Sequence, residues 1–357
     1  MRRVLNIIFF LLNVLFVAAL FLSYTAVYVN PDIFYISAFF GLAYPFILLA
    51  NVLIIIWWVF QLNLKFLMSL AAIIAGWGYV GRTLQFHNKT PINNKSIKVM
   101  SYNVMNFGFD KNQNSRDDII SLLADEQPDI LCMQEFCNNS NWPINVEKKI
   151  AEVLHTKYSF FHVINPSNKN YKVGTIIFSK YPIKNTGLVA YNLASANSTI
   201  FIDVEIAGLA VRVFDVHLQS IRFQNKDYNF LKEIGDDKDK TIEESKSIIS
   251  RMKQAYIMRA EQAKLVQEAI KKSPGKTIVC GDFNDSPVSF TYSKINDGLK
   301  DAFVESGNGL GRSYAGEFPS FRIDYIMGSQ SFDISGFDII KKKYSDHYPI
   351  KTLITLK

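Results

Sequence analysis

The sequence predicts two units of different physical character. One is a helical membrane anchor over residues 1–81. The other is an α/β (α+β) domain over residues 97–357, and a polar linker at 82–96 joins them. Three observations carry this reading. Residues 1–96 hold six basic residues and a single acid, Asp32, although the whole chain is 20% charged. Three uncharged stretches in that segment approach or exceed the length of a spanning helix. Beyond residue 96, short β-rich runs are interspersed with stretches of helical spacing. The anchor segment carries +5, which leaves 33 basic and 31 acidic residues, or +2, of the total +7 for the domain. The basic balance is therefore no sign of a nucleic-acid surface on the domain. A hydrophobic content of 49% excludes a disordered chain, and three cysteines exclude a fully paired disulfide framework.

Val4–Tyr24 is 21 residues without a charge, enough at ~1.5 Å per residue for a hydrocarbon core of roughly 30 Å. Ile33–Leu64 is 32 such residues, ample for a second, tilted helix. Phe66–Gly81 is shorter, 16 residues between Lys65 and Arg82, whose side chains can snorkel to the interfaces. A cleaved signal peptide would explain only the first stretch. Arg2, Arg3 and Lys65 place the N-terminus and the Gln61–Lys65 turn in the cytoplasm by the positive-inside rule. Three spans then put the domain outside, making this a multi-pass protein of the cell (inner) membrane with an extracytoplasmic, periplasmic domain. If Phe66–Gly81 only re-enters the bilayer, the domain falls on the cytoplasmic side.

Arg82–Ser96, with Pro91, Asn93 and Asn94, reads as the linker. Strands are expected at Ile97–Val104, Asp129–Glu135, Thr175–Ser179, Ile200–Ile206, Val211–Leu218, Thr277–Cys280, Ile323–Met327 and Ile350–Leu356. Helical spacing covers Asp117–Asp125 and Glu243–Lys272. Strands outnumber helices, which predicts mixed sheets in packed layers. Asn225–Lys246, with GDDKDK at its centre, reads as a charged surface insertion leading into the long helix.

Polar residues recur where strands end. Thr277-Ile-Val-Cys-Gly-Asp282-Phe-Asn284 places a carboxylate and an amide two apart, pointing the same way. Asp129-Ile-Leu-Cys-Met-Gln-Glu135 ends in an acid and Val213-Phe-Asp-Val-His217 in an imidazole, while Ser101-Tyr-Asn103 interrupts a further apolar strand. Asp324 lies inside an apolar run and requires a partner such as a histidine; Asp346-His347 precedes the last strand. Singly, each is an ordinary turn or strand end. Six strands that each carry one such residue predict a shared site, because a core gains nothing from the pattern.

SYNVMNFG, DILCMQEF, VGTIIFSKYPI, VFDVHLQS, VCGDFNDSP, RIDYIM and YSDHYPI, in this order, resemble the endonuclease/exonuclease/phosphatase (DNase I-like, exonuclease III-like) superfamily, over Ile97–Lys357. The resemblance implies a four-layer α/β sandwich of two packed mixed sheets, and Mg²⁺-dependent cleavage of phosphate esters, with Mn²⁺ a possible substitute. Carried over, Glu135 resembles the principal metal ligand, Asn103 its neighbour at metal and phosphate, and Asp346 the additional acid at the metal. Asp282 resembles the group that activates water, and Asn284 its partner. His347 resembles the imidazole that contacts the phosphate, and Asp324 the carboxylate that orients it. His217 matches a histidine of the DNase I, sphingomyelinase and inositol-phosphatase branches, where abasic-site nucleases have a tyrosine motif. Tyr171, Lys172 and Gly174 occupy positions where the resembled family contacts substrate.

Elementary chemistry agrees with these roles. A phosphodiester is anionic, so a hard cation held by carboxylate and amide oxygens would favour attack, and a buried base near phosphorus would activate water. The expected partners are a phosphodiester or phosphomonoester (a lipid head group, a nucleic acid or an inositol phosphate) and the bilayer itself. The alternative is a catalytically silent binding or sensor module on the same fold. Lys341–Lys343 read as a solvated run that could attract anions, and Arg259 and Gln262 as a helix-surface pair. Cys132 and Cys280 read as core residues, and Cys137 has no evident partner.

Overall fold

The computed structural model describes residues 2–88, 95–111, 114–191, 197–221, 238–316 and 321–356. Two long apolar helices open the chain, α1 (Arg2–Thr25) and α3 (Ile36–Phe60), joined through the short α2 (Pro31–Phe34). Asn30 caps α2 by accepting from the Asp32 amide, with Pro31 in the first turn. Helices α4 (Phe66–Ala75) and α5 (Trp77–Thr83) follow, so the third apolar segment is broken at Gly76. The Tyr24 ring lies where a Cβ on Gly76 would stand, 2.1 Å from that position. A polar knot ties the helices together. The Ser69 hydroxyl lies 2.7 Å from Asn13 Oδ1 and 2.8 Å from Asn51 Oδ1, while Asn13 Nδ2 donates to Lys65 O and Asn51 Nδ2 to Phe16 O. Interhelical bonds of this kind hold bundles whose outer surface is apolar. Asn13 meets Lys65 and Tyr24 meets Ala72 and Tyr79, so α4 and α5 run alongside α1 in its direction.

The α/β part holds two six-stranded sheets. The first has the order β13 (Phe332–Ile339), β14 (Ile350–Leu356), β2 (Ile97–Asn103), β3 (Ile130–Asn139), β5 (Tyr171–Ser179), β4 (Tyr158–Val163). The second has the order β10 (Leu299–Asp301), β12 (Asp324–Ser329), β9 (Lys276–Asp282), β8 (Leu209–His217), β7 (Thr199–Ile206), β6 (Ile183–Val189). In each sheet only the central pair is parallel, β2 with β3 and β8 with β9. The sheets therefore share one pattern of strand directions, although the sequence shows no repeat.

Period-two alternation sorts the side chains into layers. Ile97 and Val99 of β2 and Val211 and Val213 of β8 meet in the core between the sheets. Met100 and Tyr102 face outward onto α6 (Arg116–Glu126) and α7 (Val146–Val153). Phe214 and Val216 face outward onto α8 (Lys238–Lys271) and α9 (Phe290–Ile295). This is the predicted four-layer sandwich. The sequence reading missed β4, β6, β10 and β13. All four are edge strands; three are short or of mixed burial, and β13 is also interrupted by Gly336, so their apolar alternation is weak.

The helical bundle and the α/β part touch extensively. Val288 is buried among Leu20, Tyr24, Val27, Tyr44 and Ile47 of the bundle. The Ser286 hydroxyl donates to Gly41 O at 3.3 Å, and Ala38 packs on Ile248, Met252 and Tyr256. The start of the expected linker is held too: β1 (Gln85–Phe86) pairs with β11 (Asn308–Gly309), and the His87 amide donates to Gly307 O. Residues 89–94, and 225–237 of the charged insertion, lie outside the described residues.

Candidate active site

The C-terminal ends of the two parallel pairs converge at one edge of the sandwich. Register places His217 opposite Asp282 and Asp282 opposite Asp324, so three strands of the second sheet present one polar row. Asn103 ends β2 in the facing sheet and bridges the two. Its Nδ2 donates to Asp282 Oδ2 at 3.0 Å and to Glu135 Oε1 at 3.1 Å. His347 enters just ahead of β14, with Nδ1 2.9 Å from Asp324 Oδ2 and Nε2 3.7 Å from Asp282 Oδ2.

Local backbone departures aim these groups. Gln134 faces the inner core, so an unbroken alternation would turn Glu135 outward into the packed layer with Met133 and Phe136. A register shift between Met133 and Phe136, with Glu135 at φ +49°, turns its carboxylate toward the cavity instead. Asn284 at φ +53° folds back so that its amide N–H donates to Asp282 Oδ1 at 2.8 Å. Its Nδ2 donates to Asp282 Oδ2 at 3.1 Å and to Leu218 O at 3.0 Å. Such conformations cost on the order of 1–3 kcal/mol each where strained, and cluster at functional sites. Gly281 has φ +138°, and a Cβ there would stand 1.9 Å from Val216 O, so the close contact of β8 with β9 beside Asp282 admits only glycine.

Burial pushes the Asp282 carboxyl up to about 6 from its ordinary 3.8, opposed chiefly by the nearby His347. Burial alone would push the His347 imidazole down, but the Asp324, Asp282 and Asp346 carboxylates together hold it well above its usual range. His217 is buried. Asn197 Nδ2 donates to Leu218 O at 2.9 Å and lies 3.0 Å from His217 Nε2, which makes Nε2 the acceptor of its second hydrogen. Glu135 Oε1 is 3.6 Å from the same nitrogen. Glu135, Asn106, Gly174, Thr175, Asn197 and His217 border a cavity of about 250 Å³.

The structure thus brings together Asn103, Glu135, His217, Asp282, Asn284, Asp324 and His347. Asp346 is half-buried at the margin, its Oδ1 3.3 Å from the Ser345 hydroxyl, which donates to Asn103 O at 2.8 Å. Tyr171 and Lys172 lie farther along β5 and do not border this cavity. Tyr171 packs on Phe109, and Lys172 is exposed.

The donor set fits a hard divalent cation: carboxylate, amide and imidazole groups, with no thiolate. Asp282, Asp324 and His347 bring potential ligand atoms within 4.8 Å of one another. His347 Nδ1 is already engaged by Asp324, so this trio also forms a hydrogen-bonded chain. Glu135 is the more open carboxylate, one third exposed and beside the Asn103 amide. The three cysteines are buried and none is in a disulfide.

A family model described as Endonuclease/Exonuclease/phosphatase family matches residues 100–347. The chain belongs to this family. A second family model, described as a domain of unknown function (DUF8431), matches residues 6–83, the helical bundle. No curated protein matches in sequence. Among solved structures, an endonuclease/exonuclease/phosphatase family protein from Leptotrichia buccalis superposes with TM-score 0.51 at 18% identity, covering 72% of this chain and 99% of that one. One from Bacteroides thetaiotaomicron gives 0.52 at 17%, covering 74% and 100%. The catalytic domain of human Nocturnin, with bound sulfate, gives 0.53 at 16%, covering 76% and 97%. Family members are phosphoester hydrolases, generally dependent on a divalent metal. At these identities the neighbours establish the fold alone.

Several supporting residues of this family site escaped the sequence reading. Arg259 and Gln262 are fully buried rather than a helix-surface pair. Arg259 holds Asp285 at 3.2 Å and Gln219 O at 2.9 Å, and Gln262 Oε1 accepts from the Gln219 amide. Together they pin the loops after His217 and after Asn284. The only signal in the sequence was their helical spacing, which is blind to what packs on that face. Beneath the site, Gln134 Nε2 donates to Asp215 Oδ1 at 2.5 Å, and burial pushes the Asp215 carboxyl well above its ordinary range. Arg259→Met should destabilise the protein by about 3–5 kcal/mol, because Asp285 would keep a buried, unpaired charge. Removing both charges (Arg259→Met with Asp285→Leu) should restore much of the thermal midpoint. Equal midpoints for the single variant and wild type would show that the pair carries no such role.

Proposed function

We propose that this family member is a membrane-anchored, Mg²⁺-dependent phosphodiesterase whose catalytic domain stands on the extracytoplasmic side of the cell membrane. The observation that carries the catalytic part is the single hydrogen-bonded set Asn103–Asp282–Asn284, joined to His347–Asp324 and opening past Glu135 into the cavity. A carboxyl whose proton affinity is raised toward neutral is suited to take a proton from water, and Asp282 has that environment. Asn284 and Asn103 orient its oxygens. His347, held by Asp324, keeps a positive charge where a phosphoryl oxygen would gain negative charge. Glu135, with Asn103 and Asp346 near it, would hold Mg²⁺, and Mn²⁺ would serve. When bound, the metal neutralises phosphate charge. Asn197 would release His217 Nε2 for a leaving oxygen.

Membrane anchoring is supported by length and exposure. Arg3–Thr25 and Ile36–Phe60 are each long and apolar enough to cross a bilayer, and little of either is buried in the protein. Ile7, Leu11, Leu15, Leu53 and Ile56 would otherwise face water as one apolar belt. The direction of α4 and α5 returns the chain to the end of the bundle where the domain sits, opposite the Gln61–Lys65 turn.

Catalysis is tested with full-length protein in nanodiscs and a nitrophenyl phosphodiester. Mg²⁺-dependent hydrolysis that chelator abolishes is expected; no hydrolysis with any divalent metal would favour the silent module. A panel of plasmid DNA, RNA, sphingomyelin, phosphoinositides and nucleotides would then place the substrate. Topology is tested by a membrane-impermeant maleimide, since the native thiols are buried. With the outer envelope permeabilised, Lys342→Cys should label in intact cells and Leu62→Cys should not, both sites being exposed. The reverse pattern would put the domain in the cytoplasm.

A further inference from the structure

We infer that the apolar groove between α3 and the catalytic domain binds an acyl chain of an anionic glycerophospholipid from the adjoining leaflet, with the headgroup against Arg312 and the lysines at 341–343. The inference rests on the membrane-anchoring reading above. Pro45, Phe46 and Leu49 form one wall of the groove, and Val288, Leu310 and Phe321 belong to the other. One wall is a helix long enough to span a bilayer, the other is the domain. The groove therefore sits at the end of the bundle where hydrocarbon gives way to headgroups. Phe46 and Leu49 are each more than half exposed, so the groove opens sideways along the bundle. Its volume of about 240 Å³ is below that of sites enclosing whole ligands, roughly 300–1,000 Å³, and matches a segment of chain.

The rim supplies the charge preference. Arg312 borders the groove and is exposed. Lys341 Nζ donates to Arg312 O at 2.9 Å and lies over the Tyr348 ring, which gathers two cations at one edge; Lys342 and Lys343 are exposed beside them. The nearby acid Asp338 has Lys351 at 3.7 Å. Arg322, deeper in the groove, is neutralised by Asp301 at 2.7 Å, so of the two cations that line the groove the one at the rim carries the surplus charge. The groove also borders the catalytic loops. Ser286 is two residues after Asn284, Phe321 is three before Asp324, and Ser313, next to Arg312, accepts from the Asp324 amide.

The test is native mass spectrometry of the full-length protein in mild detergent, titrated with phosphatidylglycerol, phosphatidylcholine or soluble glycerophosphoglycerol. One tightly held phosphatidylglycerol per chain, preferred over phosphatidylcholine, is expected, with no binding of the soluble headgroup. Arg312→Glu with Lys341→Glu should weaken phosphatidylglycerol about tenfold or more and leave phosphatidylcholine unchanged. Leu310→Trp, which fills the groove from the domain side, should weaken both lipids; Leu49→Trp does the same from the helix if the first variant fails to fold. Equal binding of the two lipids, headgroup binding as tight as lipid, or unchanged binding in a folded tryptophan variant would overturn the inference. Alkaline extraction of membranes reads anchoring separately. Release of the full chain would overturn anchoring, whereas retention without lipid preference would overturn the groove alone.

Discussion

Glu135→Gln is expected to lower phosphodiester hydrolysis by about 10²-fold or more, because several kcal/mol of charge stabilisation depend on the metal this carboxylate would hold. The substitution keeps size and hydrogen-bonding reach, so Asn103 retains a partner and the bulge in β3 need not change. Two readouts separate a metal role from a packing role. Excess Mg²⁺ should recover part of the loss, and the thermal midpoint of the metal-free protein should stay within a few degrees of wild type. A variant that keeps wild-type activity in chelator-treated buffer would remove Glu135 from the metal site. The neighbouring Asp282–Asp324–His347 cluster would then be the better candidate, since its ligand atoms already lie within 4.8 Å of one another.

His217→Ala is expected to cost on the order of 10²–10⁴-fold on a natural diester, the usual range for general acid catalysis. A nitrophenyl ester should suffer clearly less, because nitrophenolate leaves without a proton whereas an alkyl or sugar alkoxide requires one. Asn197 sharpens the test. Its amide hydrogen occupies the lone pair of His217 Nε2, so the ring must exchange that bond for a proton before it can act as an acid. Asn197→Ala should therefore leave the ratio of natural-diester to nitrophenyl-ester turnover near that of wild type, while His217→Ala lowers it. Equal losses on both substrates for His217→Ala would assign the imidazole to phosphate binding or to the end of β8, and the general-acid role would fall.

How far the site was legible in the sequence varies residue by residue. Asp282, His217 and Asn103 end apolar strands, and strand periodicity alone says which way they point. Asp324 inside an apolar run called for a partner, and the structure supplies His347 at 2.9 Å. Glu135 was found as a strand-end acid, yet alternation would have turned it outward. Only the left-handed residue at the bulge, a feature of the pairing with β5, aims it at the cavity. Arg259 looked like a surface residue because its helix carries charges on several sides, and a charge is buried only when a specific partner, here Asp285, arrives from elsewhere.

The linear chain by itself determined its division into an apolar helical part and an α/β part, since length without charge and period-two alternation are local properties. It also determined most central strands and the residue types of the site. The edge strands, the broken third helix and the docking of Val288 into the bundle were decided by tertiary structure. The physical reason is the same in each case. A strand at the rim of a sheet is stabilised by one neighbour, a glycine break is set by the Tyr24 ring that fills it, and a lone valine reveals nothing of its contacts. These elements take their conformation from partners distant in sequence, so no local pattern announces them.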